Sequence, residues 1–123
     1  MLIASSYDEL KNAQLAIEKL NSRKPSIHKK FLNIIRLTRQ LQFGYQFMGS
    51  LLMDEEPGKF QPRCQDDYVL SIYRQEIEKL KADERFSELK QLLDSYKQIS
   101  YANISKLALG EEPAALVGPT VIH

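Results

Sequence analysis

The 123-residue chain has one cysteine, two histidines and no tryptophan. The single Cys64 excludes an internal disulfide and any metal site built from several cysteines, and it fits a reducing compartment. No apolar run approaches the roughly 20 residues that a membrane-spanning helix needs, and the amino terminus lacks the charged-then-apolar order of a signal peptide. We therefore expect a cytoplasmic protein that makes no contact with a membrane.

Catalytic and metal-binding patterns are also scarce. His28 and His123 lack a second histidine or a carboxylate at the spacing of a helical metal site. Cys64 has no histidine near it in the sequence, so it gives little support for a nucleophile, and no glycine-rich phosphate loop is present. The acidic residues within 54–67 do not have the spacing of an EF-hand. The sequence therefore predicts a protein that is not an enzyme, with no cofactor and no bound metal.

The longest regular pattern runs over Pro25–Met53. Inward positions recur there at alternating intervals of four and three residues, which is the spacing of one buried helix face. At 1.5 Å per residue, such a helix is roughly 40 Å long, about the diameter of a small domain. We predict one long central helix along which the other elements pack. The residues of its buried face are Ile27, Phe31, Ile34, Thr38, Leu41, Tyr45, Met48 and Leu52.

Shorter helices are predicted on both sides of this segment. A capping box formed by Ser6 and Glu9 opens a first helix over Tyr7–Leu20. After a proline-containing loop, another helix is expected over Tyr68–Ala82, with Asp67 as its cap.

The last helical segment opens at Asp83 and leaves two alternatives open. It either continues to Leu109 or breaks near Ser100, where polar residues dilute the apolar pattern; Gly110 then ends it. The predicted fold class is all-α, a single bundle of four or five helices in residues 1–110 followed by a tail, 111–123. The tail contains two prolines and cannot extend the helix beyond Pro113.

The net charge of +1 conceals an asymmetry. Residues 1–53 carry eight Lys or Arg against three Asp or Glu, whereas residues 54–123 carry nine against thirteen. Six cations fall between residues 23 and 39 without one acidic residue, and His28 adds a titratable group. Such a cluster is expected for an anionic partner such as a nucleic-acid backbone, although a solvated face paired with acids of the second half fits equally. The candidate binding residues are Arg23, Lys24, Lys29, Lys30, Arg36 and Arg39.

Beyond Gln40 the face opposite the buried stripe becomes apolar, with Phe43, Phe47 and Leu51. A helix that is apolar all round is either surrounded by other helices or offered to a partner. We therefore treat these three residues as a candidate partner interface. Gly44 and Gly49, in the same segment, either permit a close helix contact or mark a bend.

Two non-enzymatic functions follow. In the first, the basic helix face binds a nucleic-acid backbone; in the second, the chain is a helical adaptor or chaperone-like module without a nucleic-acid role. A small all-helical chain with the basic segment Arg23–Arg39 resembles the small-subunit family of CRISPR surveillance complexes. The resemblance implies a role in antiviral defence, copies that line up in a larger complex, and contact with guide-bound or displaced strands of RNA or DNA through basic side chains. It rests on length and architecture.

Overall fold

The computed structural model of the chain describes residues 6–55 and 66–113 and has six helices there. The all-α fold class is confirmed for these residues, with more helices than the four or five predicted. No helix in the two ranges is long and apolar enough to cross a membrane. The helices are α1 (Tyr7–Arg23), α2 (Pro25–Gln40), α3 (Tyr45–Leu52), α4 (Asp67–Lys81), α5 (Phe86–Ser95) and α6 (Tyr101–Ala108).

The single long helix predicted over Pro25–Met53 is not confirmed, because the segment is divided into α2 and α3. Gln42 takes a left-handed conformation with φ of 60°, which is uncommon for a residue other than glycine. The amide of Gln42 donates to the carbonyl of Arg39, and that of Phe43 donates to the carbonyl of Thr38. These two bonds form a Schellman motif, which satisfies carbonyls at the end of α2 and reverses the chain.

The turn explains how an all-round apolar segment is accommodated. It directs Phe43 into the core, where the ring lies 4.6 Å from that of Tyr73 and 5.8 Å from that of Phe47, measured between ring centroids. Both phenylalanines are buried. Burying these rings offsets the strain of the left-handed residue, since a buried phenylalanine stabilises a fold by about 2 kcal/mol.

Side-chain caps mark the first residues of α1 and α4. The predicted cap Ser6 accepts a hydrogen bond from the amide of Glu9. For α4 the cap is Asp66, one residue before the predicted Asp67, and its carboxylate accepts from the amides of Tyr68 and Val69. Both caps satisfy amides that lack partners within the helix.

The last helical segment breaks, which decides between the two alternatives left open by the sequence. α5 ends at Ser95, and Ser100 caps α6 by accepting from the amide of Asn103. Asp83, predicted as the start of the fourth helix, accepts instead from the amide of Arg85 one turn before α5. Gly110 has φ of 79° and ends α6 as predicted, a conformation that glycine adopts without steric cost.

α2 is the centre of the bundle and packs against each of the other five helices. Its inward residues include Ile27, Phe31 and Ile35, all buried. A polar pair also lies in the core, where the hydroxyls of Thr38 and Tyr73 are 2.7 Å apart. The central position predicted for the Pro25–Met53 segment thus belongs to its first half alone. Residues 56–65 of the predicted loop, including Cys64, and residues 114–123 of the predicted tail, including His123, lie outside the described ranges.

Candidate nucleic-acid interface

The exposed side of α2 presents a polar stripe. Because its core face is fixed by the buried residues opposite, Lys29, Asn33, Arg36 and Gln40 point outward, at intervals of four, three and four residues, and all four are exposed. We call these four residues the outer stripe of α2. Two of the six predicted cations, Lys29 and Arg36, belong to it.

Three of the predicted cations are paired with carboxylates from the second half of the chain. Lys24 lies 3.7 Å from Glu88, the ammonium of Lys30 lies 2.5 Å from Asp83, and Arg39 lies 2.6 Å from Glu111. The alternative that acids of the second half neutralise the basic face is therefore correct for half of the set.

Arg39 is the most fully engaged of the three. Both terminal nitrogens of its guanidinium donate to the Glu111 carboxylate, at 2.8 and 2.6 Å, and its Nε donates to the hydroxyl of Tyr45. The hydrogen bond with Glu111, followed by the one with Tyr45, raises the pKa of Arg39, and the same guanidinium lowers the pKa of the Glu111 carboxyl. A bidentate pair leaves little donor capacity for a phosphate.

Lys30 belongs to a three-residue cluster around Asp83. The Asp83 carboxylate is only 5% exposed and accepts from Lys30 and from the amide and Nε of Arg85. The hydrogen bond from Lys30 is the main cause that lowers the pKa of Asp83 to about 2. Two cations thus share one carboxylate, and the cluster keeps one net positive charge beside the outer stripe.

Arg23, Lys29 and Arg36 have no ion pair in the part of the chain that the structure describes. Arg23 is set apart from the other two, because it ends α1 and lines a cavity between α1 and α5 together with Glu88. Lys29 and Arg36 are seven residues apart on one helix face, about 10 Å along its axis. The structure therefore reduces the six-cation face to a two-cation stripe.

The seam between α2 and α4 adds residues that the sequence did not point to. The two helices run antiparallel, since Lys30 meets Asp83 and Thr38 meets Tyr73. Near the first of these contacts a cavity of about 280 Å³ opens over Ile34 and Leu80. Its polar lining is Lys30, Asn33, Glu76 and Lys79.

On α4 the exposed side of this seam continues from Lys79 and Glu76 to Ile72 and Tyr68, at helical intervals of three and four residues. Tyr68 is 73% exposed and Ile72 is 37% exposed. We call Lys30 and Asn33 of α2 and Tyr68, Ile72, Glu76 and Lys79 of α4 the α2–α4 face. The 68, 72, 76, 79 spacing is visible in the sequence, but only the antiparallel packing places Glu76 and Lys79 beside Lys30 and Asn33 of α2.

The predicted partner interface and the predicted role of His28 in the basic segment both involve side chains that the structure buries. Phe43 and Phe47 are buried in the core and Leu51 is half-buried, so these residues do not form an exposed partner interface. His28 is only 7% exposed, and burial lowers its pKa because desolvation disfavours the charged imidazolium. Burial thus makes His28 less able than an exposed histidine to add positive charge to the basic segment.

Within residues 6–55 and 66–113, no group of three His, Cys, Asp or Glu side chains is arranged to hold a metal ion. No protein-family model matches this chain, and comparisons with curated proteins and with solved structures also give no match. The membership of the CRISPR small-subunit family stays a prediction, and any functional assignment depends on the exposed residues of α2 and α4.

Proposed function

We propose that this chain is a non-catalytic subunit that contacts a nucleic-acid backbone through the outer stripe of α2. The observation that supports the proposal is the pair Lys29 and Arg36, two exposed cations about 10 Å apart that have no ion pair in the described ranges. Asn33 and Gln40 lie on the same stripe, and their amides can donate to phosphate oxygens. Such contacts position a strand without reading its sequence.

The number of unpaired cations sets the strength of this contact. Neutralising two phosphates gives a slope of about −1.4 in a plot of log affinity against log salt for a single strand. Affinity then falls about sevenfold between 50 and 200 mM salt. If all six predicted cations took part, the slope would be about −4. The salt slope therefore counts the phosphates that the chain contacts.

A weak contact of this kind suits a subunit of a larger nucleoprotein assembly, where several copies or neighbouring subunits bind the same strand and raise the overall affinity. This is the arrangement that the resemblance to CRISPR small subunits implies. The chemical identity of what co-purifies with the protein from its own cells tests this part: a nucleic acid together with larger subunits supports it.

The test of the contact itself is the double variant Lys29→Ala/Arg36→Ala, measured by fluorescence anisotropy with a labelled oligothymidylate over a range of salt. The matched control is Lys19→Ala/Lys97→Ala, which removes two exposed cations elsewhere that have no ion pair among the described residues. Both variants lose the same net charge. We expect the first to bring the salt slope close to zero and the control to keep it. Equal affinity and slope in the two variants would reject the outer stripe as the contact.

One observation favours the adaptor alternative. α4 packs on α2 and α3 at the edge of the bundle and exposes Tyr68 and Ile72, apolar side chains suited to a protein partner. In this reading the partner surface lies on α4 rather than at Phe43 and Phe47. Absence of any strand binding at low salt, combined with capture of one defined client protein that Ile72→Glu releases, would favour the adaptor function.

A further inference from the structure

The guanidinium of Arg39 is held in one orientation by two neighbours. Its terminal nitrogens donate to the two oxygens of the Glu111 carboxylate, at 2.8 and 2.6 Å. Its Nε donates to the hydroxyl of Tyr45, and its central carbon lies 5.8 Å from the centre of the Tyr45 ring. Because Tyr45 binds the side chain at Nε, the two terminal nitrogens form a fork that faces a single anion. Such a fork binds a phosphate with the same geometry as a carboxylate.

The Glu111 carboxylate is presented by the turn that ends α6. The amide of Gly110 donates to the carbonyl of Leu107 at 3.1 Å, and the next amide donates to that of Lys106 at 2.7 Å. With Gly110 at φ of 79°, these two bonds form a Schellman motif. Two residues beyond Glu111, Pro113 is buried. The backbone on both sides of Glu111 is therefore anchored, which keeps its carboxylate at the guanidinium.

Arg39 lies at the edge of the outer stripe. It follows Arg36 by three residues, an interval that places two Cβ atoms about 5–6 Å apart on one helix surface. Both arginines are exposed, and 38% of the Arg39 side chain is accessible. A strand that follows Lys29 and Arg36 towards the end of α2 therefore comes next to a guanidinium whose fork is already occupied.

We infer that Arg39 and Tyr45 form a bidentate phosphate site that the chain blocks with its own Glu111. The inference rests on the proposed function, which supplies the strand. Displacing Glu111 leaves the fork of Arg39 free and adds one phosphate contact beside Arg36. Because an exposed ion pair contributes little stability, little free energy is needed to open the site. The bond from Arg39 to Tyr45 keeps the opened fork oriented.

Glu111→Gln opens the site, because the amide has the size of the carboxylate but no charge. The probe is labelled oligothymidylate, measured by fluorescence anisotropy over a range of salt. One more neutralised phosphate should steepen the salt slope from about −1.4 to about −2.1. If the affinities of parent and variant converge at about 1 M salt, this slope corresponds to about eightfold tighter binding at 50 mM.

Glu112→Gln is the matched control. Glu112 is the next residue, is exposed and has no ion pair in the described ranges. Its substitution changes the net charge by the same amount as Glu111→Gln, so the control measures the effect of charge alone. We expect it to keep the slope of the parent chain.

A double variant identifies the group responsible for the gain. Arg39→Gln/Glu111→Gln removes both charges and restores the net charge of the parent chain. If the released guanidinium causes the tighter binding, the double variant returns to the parent affinity and slope. An equal gain in Glu111→Gln and Glu112→Gln, or a gain that persists in the double variant, would overturn the inference. A lower melting temperature of Glu111→Gln without any change in affinity would overturn it too, since the ion pair would then only join the ends of α2 and α6.

The outcomes separate this inference from the proposed function. If Lys29→Ala/Arg36→Ala loses the salt slope while Glu111→Gln binds as Glu112→Gln does, the outer stripe stands and the blocked site is wrong. If Glu111→Gln shows the expected gain while Lys29→Ala/Arg36→Ala binds as its own control does, the site at Arg39 stands and the outer stripe is rejected. If neither variant differs from its control, both are wrong.

Discussion

Replacing Gly49 with alanine tests the closest helix contact in the bundle. Gly49 lies in α3, and the ring of Tyr101, at the start of α6, packs directly over it. A Cβ built on Gly49 would come closer than 3.0 Å to three atoms of this ring, a separation that real Cβ atoms essentially never show. The Tyr101 hydroxyl is in turn hydrogen-bonded to the Glu55 carboxylate at 3.0 Å. The ring cannot yield without losing this bond or separating α3 from α6.

The magnitude follows from two opposing effects. Overpacking a core contact costs typically 1–3 kcal/mol, and replacing glycine by alanine within a helix returns up to about 1 kcal/mol through helix propensity. We therefore expect Gly49→Ala to lower the free energy of unfolding by about 1–2 kcal/mol. In urea denaturation this appears as a lower midpoint with an unchanged m-value.

Making the same substitution in a Tyr101→Ala variant makes the test decisive. Tyr101→Ala removes the ring, so in that background Gly49→Ala should lose its cost and stabilise by up to about 1 kcal/mol. We therefore expect the effect of Gly49→Ala on the free energy of unfolding to change sign when the ring of Tyr101 is removed. If Gly49→Ala in the unmodified chain is as stable as the parent, the close approach of α3 and α6 is wrong, and so is the packing reason for this glycine.

Two further predictions concern buried residues of α2 and α3. Phe47→Ala should lower the free energy of unfolding by about 3–5 kcal/mol, because it leaves a cavity between Phe43 and Tyr73 in the core. A loss below about 1 kcal/mol in urea denaturation would contradict the burial of the Phe47 ring. Burial lowers the pKa of His28 below 6.5, so near and below that pH the unfolded chain binds more protons than the folded chain and stability falls as pH falls. His28→Gln should reduce the difference between the melting temperatures at pH 7.5 and pH 5.5, and an unchanged difference would show that His28 titrates alike in both states.

The helices and several of their ends could be predicted from neighbouring residues. The caps Ser6 and Gly110 form as their sequence context indicates, since each bond joins groups a few residues apart. The buried residues Ile27, Phe31, Ile34 and Thr38 of α2 follow the predicted spacing for the same reason: a helix places residues three and four apart on one face. Where the prediction fails locally, at Gln42, a non-glycine residue adopts positive φ because the buried Phe43 compensates for the strain.

The candidate site could be predicted only in part. Six cations without an acid between them indicated a basic face, but the carboxylates that neutralise Lys30 and Arg39 come from positions 53 and 72 residues away. No local pattern specifies such pairs, because they exist only once α2 packs against later elements. Lys29 and Arg36 remain because they point away from every helix that surrounds α2.

The amino-acid sequence by itself determined that the chain is helical, where α1 and α2 begin and which side of α2 is buried, because these properties depend on residues within about one turn of each other. Tertiary structure alone decided that α2 and α3 separate at Gln42, that the ring of Tyr101 packs directly over Gly49, and that three of the six cations are paired with carboxylates. These outcomes depend on contacts between residues far apart in the chain, which form only when the helices pack together.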